Sequence, residues 1–102
     1  MVVSFKNDRD RVFYESEKSL TSAYNVRIAR KILQRINELL ASDNPQQLPR
    51  NARFHEHKGK RKGLFSIDLV HPYRLIVRPT CSYANYIEIV SVEIDEVFNP
   101  HK

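Results

Sequence analysis

The clearest pattern in the chain is a series of apolar residues that recur every three or four positions from Ile28 to Leu40. This spacing lines one face of an α-helix, and the arginine, lysine and glutamine residues between them cover the other face. Thr21 or Ser22 is predicted to cap the start of this helix, because a side-chain oxygen there can accept from a free backbone N–H group. The sequence Asp-Asn-Pro at residues 43–45 is predicted to end it.

A strand and a shorter helix are predicted ahead of this long helix. Residues 2–5 form a short apolar run typical of a strand, and Asn7 and Asp8 after them are typical of a turn and a helix start. The pattern that follows predicts a helix over residues 9–18. The two predicted helices form an antiparallel hairpin joined by a short turn of serine and threonine residues.

From residue 53 onwards the apolar period changes to the alternation of a β-strand. Four strands are predicted, with His71-Pro72 as one of the turns between them: residues 53–57, 64–70, 73–77 and 86–97. Strands joined by short turns form an antiparallel meander, and the helical hairpin must cover one sheet face to bury both apolar surfaces. The predicted fold is α+β, a single domain over residues 1–102 in which an N-terminal strand and an α-helical hairpin pack on a curved antiparallel sheet.

Charge and cysteine usage indicate the setting and the kind of partner. The net charge is +5 at pH 7 and the pI is near 9.6, which favours an acidic partner such as nucleic acid or an acidic protein segment. Cys81 is the only cysteine, which excludes an internal disulfide and favours a reducing compartment. No apolar run approaches the roughly 20 residues of a membrane span, and the first residues lack the layout of a signal peptide. We therefore expect a cytoplasmic protein with no membrane partner.

The segment RFHEHKGKRKG at residues 53–63 combines two histidines with a dense positive charge. Like charges this close repel one another unless a polyanion neutralises them. Histidines beside them can transfer protons near neutral pH. The segment is not a P-loop, because the required order of glycines, lysine and hydroxyl residue is absent. It predicts a phosphate-backbone site with four cationic residues: Lys58, Lys60, Arg61 and Lys62.

Strand alternation places His55 and His57 on one face of the predicted sheet, and Arg74, in the middle of a later strand, is predicted to share that face. An arginine in such a place presents a fork of donors that suits a phosphate. The alternative is a solvated arginine on an open sheet face. No metal site is predicted, because the histidines and Cys81 lack any established zinc-ligand spacing.

These residue types suit RNA cleavage without a metal or any other cofactor. The RNA 2′-hydroxyl attacks the adjacent phosphate once a base removes its proton, cations stabilise the charge on the phosphorane, and an acid protonates the leaving oxygen. His55 or His101 can transfer the protons. Lys58, Arg61 and Arg74 can hold the phosphate charge.

Two segments, RFHEHKGKRKG at residues 53–63 and VHPYRL at residues 70–75, resemble the HigB-like branch (plasmid maintenance killer protein) of the RelE/ParE toxin superfamily. Members carry an Arg-x-His-x-x-Lys-Gly-x-Arg-x-Gly segment and an aromatic-Arg-aliphatic strand. The resemblance implies a RelE-like fold and the toxin of a type II toxin–antitoxin system. Such a toxin is a metal-independent endoribonuclease, an mRNA interferase that cuts mRNA at the 30S A site of the ribosome. It also implies a cognate antitoxin that forms a toxin–antitoxin hetero-oligomer with it.

Carried over by position, the resemblance implies catalytic roles for His55, Arg74 and His101. It also implies that Lys58 and Arg61, together with Arg74, hold RNA phosphates. The C-terminus departs from the family, since many members end in Asp-Tyr-His where this chain has Asn99 and Pro100 before His101. Three alternatives therefore stay open. The first is a RelE-fold module of weak or absent catalysis that binds an antitoxin and co-represses its operon. The second is a ParE-like inhibitor of gyrase, and the third is a basic protein of the same fold and unrelated function.

Overall fold

The computed structural model describes residues 1–57 and 62–100. In this part of the chain, three helices lie with a five-stranded mixed sheet in a compact α+β fold. The helices are α1 (Asp8–Glu15), α2 (Glu17–Ala23) and α3 (Val26–Ala41), and the strands are β1 (Val2–Phe5), β2 (His55–Glu56), β3 (Phe65–Asp68), β4 (Arg74–Pro79) and β5 (Ser91–Phe98). None of the helices within these residues is both long and apolar enough to cross a membrane.

Helix boundaries follow side-chain caps. Asn7 caps α1 by accepting from the N–H of Asp10, as its position in the sequence predicts. The predicted hairpin of two helices is wrong, because Ser16 ends α1 and its hydroxyl caps a separate helix α2. Thr21 and Ser22 lie inside α2 and do not cap α3. Asn25 performs that role, since its side-chain oxygen accepts from Ile28 N at 2.8 Å.

The strands lie in the order β1-β5-β4-β3-β2. The meander from β2 to β5 is antiparallel, as predicted, but β1 pairs with β5 in parallel, so the prediction of an antiparallel sheet is wrong at that edge. The three helices carry the chain from β1 to the far edge of the sheet. The meander then returns to β1 with its last strand running in the same direction, which makes the pair parallel.

The core lies between the helices and one face of the sheet. The helices contribute Leu20, Ile32 and Leu39, and the sheet contributes alternate residues of its central strands, such as Leu75 and Val77; each of these five is fully buried. The alternation of side chains along β3, β4 and β5 therefore presents every second residue to the opposite face, which the helices do not cover. We call this opposite surface the distal face.

Candidate functional site

The register of the strands arranges the distal face in rows. His55 on β2 lies opposite Ser66 on β3, Ser66 lies opposite Ile76 on β4, and Ile76 lies opposite Glu96 on β5. Facing residues of paired strands project to the same side of a sheet. One row across the distal face thus contains a histidine, a hydroxyl, an aliphatic residue and a carboxylate.

The next row lies two residues along each strand. Arg74 on β4 is flanked by Asp68 on β3 and Phe98 on β5. His55 and Arg74 are separated by one intervening strand and one row, so standard strand spacings place their Cα atoms roughly 12 Å apart. Two long polar side chains can contact one ligand across that separation. The sequence prediction that both residues share one face agrees with this register.

The distal face is strongly curved. The rings of His57, at one corner, and Phe98, on the far strand, have centroids only 5.3 Å apart in an edge-to-face arrangement. Two strands lie between them, so the twist of the sheet must bring these diagonal corners together. Ser66 and Ile76 are fully buried on this face, and His57 Nδ1 lies 3.0 Å from Ser66 Oγ. His57 therefore belongs to the packing of the face.

His55 has a different environment. It is half-buried, and its Nδ1 lies 2.5 Å from the backbone carbonyl oxygen of Arg53. The Arg53 side chain extends to β3, where Nη1 lies 3.2 Å from Asp68 Oδ2. The predicted strand over residues 53–57 is shorter than expected, because Arg53 adopts a left-handed conformation with φ 48° and pairing begins only at His55. The Arg53 carbonyl thus holds the imidazole of His55 at Nδ1, and no residue of the described ranges forms a hydrogen bond to its Nε2.

Arg74 is half-buried in the middle of the sheet. Within residues 1–57 and 62–100, its guanidinium forms neither a hydrogen bond nor an ion pair. The carboxylate directly across from it, Asp68, is bound to Arg53 instead. By contrast, Arg78 on the same strand forms an ion pair with Glu93, with 2.6 Å between Arg78 Nη2 and Glu93 Oε2. The donors of Arg74 are therefore available to an anion.

Several predicted site residues lie outside the described part of the chain: Lys58, Lys60, Arg61 and His101. Lys62 is described, and it is exposed in the turn that leads into β3. Gly63 beside it has φ 81°, a left-handed conformation that suits glycine. The turn thus presents Lys62 to solvent at the start of β3.

The strand register places two acidic residues near the C-terminus, Asp95 and Glu96, relative to the distal face. Asp95 lies in a β-bulge, is buried, and forms an ion pair of 3.0 Å with Lys6, which follows β1. Glu96 is the residue that faces the distal side, in the row of His55. The bulge shifts the alternation by one residue, and the apolar pattern of β5 alone gives no signal of that shift.

Other surfaces give less support for a site. Within residues 1–57 and 62–100, no group of three histidine, cysteine or acidic side chains is arranged to hold a metal ion. A groove of about 790 Å³ lies at the other edge of the sheet, among β1, α1 and α3. Asp8 and Glu15 on its rim are paired with Arg11, so this groove lacks the available cations that a phosphate backbone requires.

The distal face combines a half-buried imidazole, an available guanidinium and a carboxylate on one concave surface. These groups are suited to proton transfer beside a bound phosphate. In comparisons with known proteins, no protein-family model matches the chain and no curated protein is significantly similar to it.

Proposed function

We propose that this chain is the toxin of a type II toxin–antitoxin system, a metal-independent endoribonuclease that cleaves mRNA in the A site of the ribosome. The observation that carries the proposal is the placement of His55 and Arg74 on the same sheet face, with no protein partner for the Arg74 guanidinium within residues 1–57 and 62–100. The resemblance of residues 53–63 and 70–75 to HigB-like toxins supplies the substrate class.

In the proposed reaction, His55 removes the proton of an RNA 2′-hydroxyl, whose oxygen then attacks the adjacent phosphorus. The O2′–P bond forms as the P–O5′ bond breaks, which leaves a 2′,3′-cyclic phosphate and a 5′-hydroxyl. Arg74 holds the non-bridging oxygens, where negative charge increases in the transition state. Protonation of the leaving oxygen is assigned to His101 by the resemblance, since that residue lies outside the described part of the chain.

The rest of the proposal concerns partners. Lys58, Lys60, Arg61 and Lys62 bind the flanking phosphates of the mRNA, and the net charge of +5 favours approach to the ribosome. A cognate antitoxin neutralises the toxin in a hetero-oligomer in the cytoplasm. Glu96, in the same row as His55, adds a carboxylate to the proposed site.

A second candidate function is a catalytically weak module that binds the antitoxin and co-represses the operon. Asn99 and Pro100 favour it, because they replace the acidic and aromatic residues of the family pattern. Glu96 is the feature that favours cleavage over this alternative, since it restores a carboxylate on the distal face. The two functions differ in whether transcripts are cut when the chain is produced without an antitoxin.

Induced expression in bacteria tests the proposal. Growth and transcript 5′ ends are compared for wild type, His55→Ala, Arg74→Ala and the control Arg27→Ala, which removes an exposed arginine from α3. We expect wild type and the control to stop growth and produce new 5′ ends within coding regions, and the two site variants to do neither. Toxicity that persists in both site variants contradicts the assigned site. Wild type that leaves transcripts intact but binds an antitoxin selects the second candidate.

A further inference from the structure

Arg53 has an unusual backbone conformation for a non-glycine residue. It follows the 3₁₀ turn Arg50–Ala52, and its N–H donates to Arg50 O at 3.1 Å. Its φ of 48° and ψ of 56° are left-handed, a conformation that costs a residue with a side chain about 1–2 kcal/mol. This turn directs the Arg53 carbonyl oxygen at the imidazole of His55, 2.5 Å away.

That contact determines where the neutral imidazole carries its proton. A carbonyl oxygen can only accept a hydrogen bond, so Nδ1 of His55 must be the protonated nitrogen. Nε2 is then unprotonated in the neutral ring and can accept a proton from a substrate. Free imidazole side chains favour the opposite form, with the proton on Nε2. The Arg53 carbonyl therefore selects the less common tautomer.

Two arginines hold this turn in place. The Arg53 guanidinium binds the carboxylate of Asp68 at 3.2 Å. Arg35, which is only 2% exposed, donates from Nε to Asp68 O at 2.9 Å and from Nη2 to Asn51 O at 3.3 Å. The buried Arg35 side chain thus fixes both the segment just before Arg53 and the end of β3 that the Arg53 side chain contacts.

We propose that Arg53 is a positioning residue whose left-handed turn fixes the Nδ1–H tautomer of His55 and leaves Nε2 as the proton acceptor. Its consequence for catalysis rests on the proposed function, but the tautomer itself does not. The proposal separates two properties of Arg53. The backbone conformation selects the tautomer, and the ion pair with Asp68 only supports that conformation.

The tautomer can be measured on the purified chain by ¹⁵N NMR of the histidine rings. The pH should lie well above about 6.5, the reference pKa of a histidine side chain, so that the rings are neutral. The variants are Arg53→Gly and Arg53→Asn, which tolerate a left-handed backbone, and Arg53→Val, which disfavours it. We expect Nδ1–H to predominate at His55 in wild type and in the Gly and Asn variants. In the Val variant the ratio of the tautomers should invert.

Three results overturn the proposal. The first is wild-type His55 with its proton on Nε2, the second is an Arg53→Val variant that folds and retains the wild-type ratio, and the third is loss of the Nδ1–H tautomer in both the Gly and the Asn variant. If the Val variant does not fold, the Gly and Asn variants decide. Loss of the Nδ1–H tautomer in both of them shows that the ion pair, and not the turn, sets it.

Cleavage kinetics separate this proposal from the proposed function. If the chain is a nuclease, Arg53→Val should lower kcat about 100-fold, a usual contribution of a general base, with KM little changed. Arg53→Gly should recover most of that loss, whereas an Arg27→Val control should match wild type. Equal kcat in the Gly and Val variants contradicts the positioning role. If wild type has no nuclease activity but shows the expected tautomer, the proposed function fails and the assignment of Arg53 stands.

Discussion

Arg35 Nε donates a hydrogen bond of 2.9 Å to the carbonyl oxygen of Asp68, which joins the centre of α3 to the end of β3. The same guanidinium binds Glu38 at 2.8 Å and the carbonyl of Asn51. A charge this deeply buried is retained only where several polar partners compensate for lost hydration. The helix layer and the distal face are therefore coupled through one side chain.

Replacement of Arg35 should destabilise the fold more than any exposed arginine on the same helix. Arg35→Met leaves two backbone carbonyls and the Glu38 carboxylate without their donor, at a cost of about 3 kcal/mol. Arg27→Met, at an exposed site of α3, should change the free energy of unfolding by less than about 0.5 kcal/mol. Urea denaturation of both variants measures the difference. Equal midpoints of unfolding in the two variants would show that the hydrogen bonds and ion pair of Arg35 make no net contribution to stability.

The cap of α3 gives a prediction in which one substitution has opposite effects at two positions. Asn25→Ala removes the acceptor for Ile28 N and should cost about 1 kcal/mol. Asn37→Ala, at an exposed interior position of the same helix, should be neutral or slightly stabilising, because alanine has the higher helix propensity. Thermal denaturation of the two variants tests this. A loss at Asn37 as large as that at Asn25 would contradict the assignment of the cap.

Stability should fall at alkaline pH because of Tyr14. Burial is the main cause that raises the pKa of this phenol above its ordinary value of about 10. The folded protein therefore keeps the proton at a pH where the unfolded chain loses it. The stabilisation is fully present below pH 10 and is lost above it, by up to about 1.4 kcal/mol per pH unit.

Denaturation of wild type and Tyr14→Phe at pH 8 and pH 11 measures this effect. The variant should lose less stability between the two pH values, although burial also raises the pKa of Tyr24 and leaves part of the dependence in place. Identical losses in the two proteins would show that Tyr14 does not contribute to the alkaline transition.

The two neighbouring histidines should differ in what their removal changes. His57→Ala removes the contact to Ser66 and the ring packing on Phe98, and should cost about 1–2 kcal/mol. His55→Ala should change stability by less than about 0.5 kcal/mol but abolish cleavage. Paired measurements of unfolding and of mRNA cleavage separate the two roles. A stable His57→Ala protein together with an unfolded His55→Ala protein would contradict this assignment of a packing role to His57 and a catalytic role to His55.

Local patterns predicted the elements of this fold better than their arrangement. The apolar spacing from Ile28 to Leu40 indicates α3, and alternation indicates the strands of the meander, because both periods are properties of a single segment. The parallel pairing of β1 with β5 joins residues about 90 positions apart in the sequence, and no local pattern predicts such a pairing. The sequence predicts the cap of α3 at Thr21 or Ser22, because no local pattern reveals that both residues lie within α2.

The same limit applies to the candidate site: local patterns predict some of its residues, and tertiary contacts determine the others. Alternation is sufficient to place His55 and Arg74 on one face, and the register agrees. The roles of Glu96 and Arg53 depend on a β-bulge and on a left-handed residue, which are set by tertiary contacts. Neither arginine nor glutamate is a residue type that signals such a conformation.

The most direct test of the central claim is cleavage of a defined mRNA on purified ribosomes by the purified chain, without added metal beyond that of the ribosomes. A matched mRNA carries a single 2′-deoxynucleotide on the 5′ side of the cleavage site. We predict that the all-ribose mRNA is cut in the A site to give a 2′,3′-cyclic phosphate, that the deoxy substitution blocks the cut, and that His55→Ala and Arg74→Ala are inactive. An intact all-ribose mRNA, or efficient cleavage of the deoxy-substituted mRNA at that site, would contradict the proposed mechanism.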